Sequence, residues 1–187
     1  MKLILYCVLM MFGLIAVAVI LLEVVFTTDT GLKSINNDAP VKICQEITIH
    51  APSQKVYQMI SDINHWEELN NDVIDPKLNG SFEEGNSFDW KNEGVSMHSI
   101  ISNIIPGKKI GWCSKACGVF AINSWSFTSY GDYTTIKVEE STEGWLVFLR
   151  CSKFQKDSER STRIWLKNLK TEAEKTRAEG YKKSSTK

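Results

Sequence analysis

Residues 41–66, Val41-Lys-Ile-Cys-Gln-Glu-Ile-Thr-Ile-His-Ala-Pro-Ser-Gln-Lys-Val-Tyr-Gln-Met-Ile-Ser-Asp-Ile-Asn-His-Trp66, change periodicity once, and that change organises the rest of the chain. From Val41 to His50 apolar and polar positions alternate, with Val41, Ile43, Ile47 and Ile49 separated by Lys42, Thr48 and His50 and a break at Cys44-Gln45. A period of two is the pattern of a strand with one buried face. Ala51-Pro52-Ser53 then stops the strand and Ser53 supplies a helix cap, after which Val56, Tyr57, Met59 and Ile60 recur at helical intervals. Asp62 reads as a turn or cap and not as a catalytic acid. A second short helix over Ile63 to Leu69 presents Ile63, Trp66 and Leu69 on one side.

Beyond Asp72 extended segments are punctuated by Asn79-Gly80, Glu84-Gly85, Glu93-Gly94, Pro106-Gly107 and Gly131-Asp132. They delimit six strands: Val73 to Leu78, Ser87 to Lys91, Val95 to Ile105, Lys108 to Ser114, Val119 to Tyr130 and Tyr133 to Ser141. Short turns between consecutive strands build an antiparallel meander. After Gly144 the period lengthens, and Trp145 to Glu179 reads as one long helix with Trp165, Leu169 and Ala173 on a common face. Seven antiparallel strands must bury one face, and the terminal helix is the available cover. A strongly curved sheet and one helix do not fill the space between them, so this arrangement tends to enclose a cavity.

On the amino-terminal side, Leu3 to Leu22 is an uncharged apolar run whose length as a helix matches the hydrocarbon core of a bilayer. It exceeds the apolar region of a secretory signal, and Glu23-Val24-Val25-Phe26-Thr27-Thr28 offers no Ala-x-Ala cleavage pattern. A buried core helix would carry polar residues on its solvent side, and none occurs on any face. The expectation is a single-pass anchor over 1–26, a polar linker over 27–40, a ligand-binding domain over 41–179 and a disordered tail over 180–187. Lys2 precedes the span, while Lys33 and Lys42 follow it among Glu23, Asp29 and Asp38. The positive-inside rule is barely engaged, and what bias there is places the domain on the extracytoplasmic side of the membrane.

Lys and Arg total 22 and Asp and Glu total 22, so overall charge gives no reason to expect nucleic acid. The basic end from Lys167 reads as the solvated face of a helix, with anionic lipid headgroups as the alternative. Five cysteines are present. Cys113-Ser-Lys-Ala-Cys117 stands between two strand-like runs, leaving open a disulfide across a three-residue hairpin loop or two unbonded thiols. Zinc would need a second Cys or His pair nearby, and there is none. No cofactor or metal is called for.

The order strand, two short helices, six strands and a long helix resembles the START-like superfamily (Bet v 1-like, or SRPBCC), in its polyketide cyclase/dehydrase and lipid-transport branch. The residues that carry the resemblance are Ile47 to Tyr57, Ile60 to Trp66, Gly80-Ser-Phe-Glu-Glu-Gly85 and Ile104 to Trp112. Trp125-Ser-Phe127 follows, then Thr134 to Val138 and Trp165 to Glu174. Together they span nearly all of Val41 to Lys175, in the family's order. One departure is Glu67-Glu68-Leu69, where members often carry a second Trp. The resemblance implies an α+β helix-grip fold, a seven-stranded curved antiparallel sheet with two short helices and a long carboxy-terminal helix around a ligand cavity.

All six tryptophans lie past residue 60. Indole suits both a core and the wall of a pocket. Trp90, Trp112 and Trp125 on strands and Phe148 on the terminal helix are the candidate wall residues. The helix stripe Phe148, Cys151, Gln155, Ser158, Thr162, Trp165 and Leu169 has a small polar middle, which places Gln155, Ser158 and Thr162 over the cavity or, after a small rotation, in solvent. No paired acid and base, nucleophile with its His, or metal set is present. His98 and Glu139 are the candidates for acid–base work; Glu139 and Glu140 are adjacent on a strand, point to opposite faces and form no dyad. Three functions follow: a membrane-anchored module binding a hydrophobic or amphipathic small molecule, a cyclase-, dehydrase- or hydrolase-like enzyme acting on such a ligand, or an envelope protein acting through protein contacts. Oligomeric state is not legible.

Overall fold

The computed structural model describes residues 2–26, 34–92 and 94–184. Helix α1 spans Lys2–Phe26. Its stretch Ile4–Leu22 is long and apolar enough to cross a membrane and contains no buried residue. Residues 27–33 of the expected linker lie outside the described residues. Its far end is docked: Asn36 accepts no flexible role, since its backbone N–H donates to Ser141 Oγ at 3.0 Å and its side chain to Glu143 Oε2 at 2.6 Å.

Strand β1 (Val41–Ile49) leads to α2 (Ser53–Ser61), a 3-10 turn (Ile63–His65) and α3 (Trp66–Leu69). The meander follows as β2 (Val73–Asn79), β3 (Ser87–Asn92), β4 (Val95–Ile105), β5 (Lys109–Ala116), β6 (Val119–Tyr130) and β7 (Tyr133–Glu143). The sheet order is β1-β7-β6-β5-β4-β3-β2, so the meander runs in sequence and β1 closes onto β7. Every pairing is antiparallel. This is the expected helix-grip α+β architecture. Ser53, however, does not cap α2. Pro52 holds the cap position with extended backbone and accepts from Lys55 N–H at 3.1 Å, and Ser53 is already helical. Proline's fixed φ suits that boundary and leaves no donor to satisfy.

The terminal helix is two helices, α4 (Trp145–Leu149) and α5 (Cys151–Ser184). Arg150 separates them with φ −131° and ψ 33°; its N–H closes α4 onto Leu146 and Val147, and its carbonyl opens α5 by accepting from Lys153 and Phe154. The break lets α4 bury Val147 while α5 turns its own inner stripe to the sheet. The helix continues to Ser184, past the expected end at Glu179, and residues 185–187 of the expected tail lie outside the described residues.

Trp66 is the hub of the core. It is 1% exposed, its indole N–H donates to Ile60 O at 2.9 Å, and its ring meets Phe88, Trp112 and Trp165 at centroid separations of 5.3, 5.3 and 5.2 Å. Such edge-to-face and tilted contacts add to the area these rings bury. The aromatic cluster holds α3, β3, β5 and α5 together at one end of the sheet and leaves the other end open.

Candidate functional site

Between the sheet and α5 lies a cavity of about 330 Å³, the size of a small-molecule site. Its inner end is apolar, formed by Ile60, Trp66, Trp112, Trp125, Val138 and Trp165. Its outer end is ringed by the β3–β4 tip (Asn92, Val95), the β5–β6 turn (Cys117, Val119) and the α4–α5 junction (Leu146, Arg150, Lys153, Phe154). Between the two lies a polar belt of Asn123, Glu140, Thr142, Ser158, Ser161 and Thr162.

Sheet register explains the belt. Trp112 pairs with Asn123 and Asn123 with Glu140, so these three side chains form one row on the inner face, since directly opposed residues share a face. On β7 the buried positions Ile136 and Val138 set the phase that carries Glu140 inward. From β7, Thr142 Oγ1 donates to Glu140 Oε1 at 2.7 Å; from α5, Ser158 Oγ donates to the same oxygen at 2.9 Å. Burial pushes the Glu140 carboxyl above the usual carboxylate range, and the two hydroxyl donors offset this only in part. Around it, Trp112 Nε1 and Trp125 Nε1 are buried with no protein acceptor among the described residues.

The raised pKa has a measurable consequence. Because burial lifts the Glu140 pKa above its unfolded value of 4.5, there is a pH window above 4.5 in which the folded chain holds a proton that the unfolded chain has lost. The unfolded state then binds fewer protons, so this group makes stability fall as pH rises. Glu140→Gln is therefore expected to melt higher than the wild type near pH 7, with the two melting curves converging towards about pH 4. The comparison is made by thermal melts of the detergent-solubilised chain, and a gap that widens towards low pH contradicts a neutral Glu140.

Trp90, Trp112, Trp125, Ser158 and Thr162 line the cavity. Phe148 does not: it is 72% exposed on α4, because the break at Arg150 takes α4 out of phase with α5. Phe154 fills the corresponding place. Gln155 is turned to the β1 edge, where its amide donates to Lys42 O at 3.1 Å and Glu159 Oε1 at 2.8 Å. Glu139 faces outward and is held by Lys137 Nζ at 2.7 Å. His98 is also outside, its Nδ1 2.7 Å from Asp89 Oδ1, which lowers the Asp89 pKa. Strand β5 runs to Ala116, so Cys113 pairs with Ile122 inside the ladder while Cys117 sits in the turn, and no disulfide joins them. Among the described residues no His, Cys, Asp and Glu cluster could hold a metal ion. Sequence reasoning passed over Asn123, Arg150 and Lys153; it sends Glu139 and Glu140 to opposite faces, and of the two it is Glu140 that lines the cavity.

Known structures share this architecture. A hypothetical protein of Helicobacter pylori, jhp0584, superposes with a TM-score of 0.66 at 15% identity over 76% of this chain and 97% of its own. A START superfamily protein from Mycobacterium smegmatis gives 0.59 at 13% identity over 72% and 98%. The fold is START-like. The di-domain ARO/CYC protein StfQ of the steffimycin biosynthetic pathway gives 0.64 at 14% identity over 74% of this chain and 52% of its own. At these identities the START-like likeness is one of fold. No protein-family profile matches the sequence, and no curated protein matches it.

Proposed function

We propose that this chain is a membrane-anchored module that binds a hydrophobic or amphipathic, lipid-like small molecule in the cavity between its sheet and α5. The observation that carries the reading is the cavity itself, about 330 Å³ with an aromatic inner end and a few convergent polar groups, the composition of sites that bury most of a small ligand. The START superfamily and ARO/CYC proteins among the structural neighbours support a small-molecule role.

The tether is supported by α1 and by its neighbour. Helix α1 lies beside α4, whose Phe148 and Leu149 are 72% and 68% exposed, and α4 and the start of α5 contribute Leu146, Arg150 and Phe154 to the cavity's mouth. With α1 across a bilayer, that mouth faces the lipid surface, and apolar side chains flanked by a cation suit the headgroup boundary. We place the domain on the extracytoplasmic side, a topology that protease protection of sealed vesicles reads directly.

An enzymatic reading, cyclase-, dehydrase- or hydrolase-like, would rest on Glu140, the cavity carboxyl whose pKa burial raises. A binding role accounts for the same carboxyl without a second catalytic partner. The two part under one experiment: the full chain in detergent is titrated with a brominated fatty acid while tryptophan emission is followed. Binding predicts saturable quenching near one equivalent, reversed by the unbrominated acid. Quenching that grows linearly without saturation contradicts a cavity site, and chemical conversion of the added acid would favour the enzyme.

A further inference from the structure

On the reading of the cavity as an amphiphile site, the row Trp112, Asn123 and Glu140 is where a ligand's polar end would lie. We propose that this row is a head-group subsite, and that it takes an amphiphile whose polar end presents a hydrogen-bond-accepting oxygen, a carbonyl or carboxylic acid, in preference to an amine.

Glu140, a partly buried residue of the cavity wall, receives Thr142 Oγ1 and Ser158 Oγ on Oε1, and Oε2 has no hydrogen-bond partner among the described residues. Burial favours the protonated form of this carboxyl, and with Oε1 taking two donors the proton of that form sits on Oε2, which is then a donor. Among the described residues the side chains that act on this carboxyl are the two hydroxyls; Arg150, Lys153 and Asp157 line the same cavity, with Lys153 paired to Asp157. Trp112 Nε1 and Trp125 Nε1, on side chains 6% and 4% exposed, are donors without acceptors. Asn123, between Trp112 and Glu140 in the row, brings an amide with both kinds of atom and no side-chain partner among the described residues. Donors therefore outnumber acceptors. A buried donor left unmade costs about 1–3 kcal/mol, so a ligand oxygen placed here recovers what the protein alone forgoes. An amine head would add donors to a site already rich in them.

The test is calorimetric titration of the detergent-solubilised full chain with decanoic acid, 2-decanone and decylamine. The acid and the ketone are expected to bind, and decylamine at least about tenfold more weakly. Glu140→Gln, which keeps a donor at the same place, should hold affinity for the ketone within about threefold. Glu140→Leu and Trp112→Phe, which remove a donor while keeping bulk, should each weaken it by about five- to tenfold. Decylamine binding tightest, and lost in Glu140→Gln, would make the carboxylate a counter-ion and overturn the proposal. Equal binding of all three probes, unchanged in Glu140→Leu and Trp112→Phe, overturns the subsite and leaves the cavity as a binding site. No binding of any probe to the wild type removes both. Trp112→Phe leaves the Glu140 network untouched, so a folding defect in one variant does not decide the outcome.

Discussion

Gly144→Ala is expected to cost roughly 3 kcal/mol or more of folding stability, read as a shift in the urea midpoint of the domain. Gly144 links β7 to α4 with φ +123°, and a Cβ there would lie 2.3 Å from the Gly118 carbonyl oxygen and 2.9 Å from its carbon. Both obstacles are backbone, so neither can swing aside. The positive φ adds strain of its own, since a side chain in that region meets its own backbone. Gly118 is in turn pressed against Trp145 and bonded through its carbonyl to Leu146 N–H at 3.1 Å. Two backbones thus meet without side chains where the β5–β6 turn fastens α4 over the cavity's mouth. Gly131→Ala is the control: its φ is +59° with nothing within 4 Å of the added atom, and its expected cost is only about 1–2 kcal/mol. Equal costs for the two substitutions would remove the packing argument.

Ala121→Trp is expected to abolish ligand binding, by about a hundredfold or more, while the domain still folds. Ala121 is buried on β6 between Ser114 of β5 and Thr142 of β7, and all three line the cavity. An indole placed there enters open space, so the overpacking penalty that a dense core would exact does not arise. It occupies the region a ligand would fill, midway between the polar belt and the mouth. A hundredfold loss corresponds to about 2.7 kcal/mol, of the order of one large apolar side chain's burial. Titration of the brominated fatty acid into the variant measures the loss, and a melting temperature near that of the wild type shows that the fold is intact. Unchanged affinity would mean that the acid binds elsewhere.

The meander was legible because each break carries its own chemistry: glycine at the turn positions where φ is positive, as at Gly80, Gly107 and Gly131, and alternating apolar residues between them. The switch at Ala51-Pro52-Ser53 was equally plain, although the cap fell one residue earlier. What the sequence did not disclose was the phase of the elements against one another. Trp145 to Glu179 has no proline or glycine before Gly180, so nothing local announces the break at Arg150. Tertiary demand produces it, and with it Phe148 leaves the inner stripe and Gln155 turns to the β1 edge. Glu140 could have been found from the sequence by carrying the alternation Ile136-x-Val138 one step further. Of the two arrangements open to Cys113 and Cys117, the structure has the unbonded one, since β5 continues to Ala116 and places Cys113 within a ladder. Local pattern fixes element type; which face meets which is decided by packing at a distance.

The START-like sheet and its covering helix leave a hollow of about 330 Å³, which on the proposed function holds an amphiphile. Native mass spectrometry of the detergent-extracted full chain would detect that occupant. One small apolar or amphipathic molecule per chain is expected, retained through gentle activation and missing from Ala121→Trp. A wild-type chain that carries no adduct and acquires none from added decanoic acid or 2-decanone would contradict the proposed function.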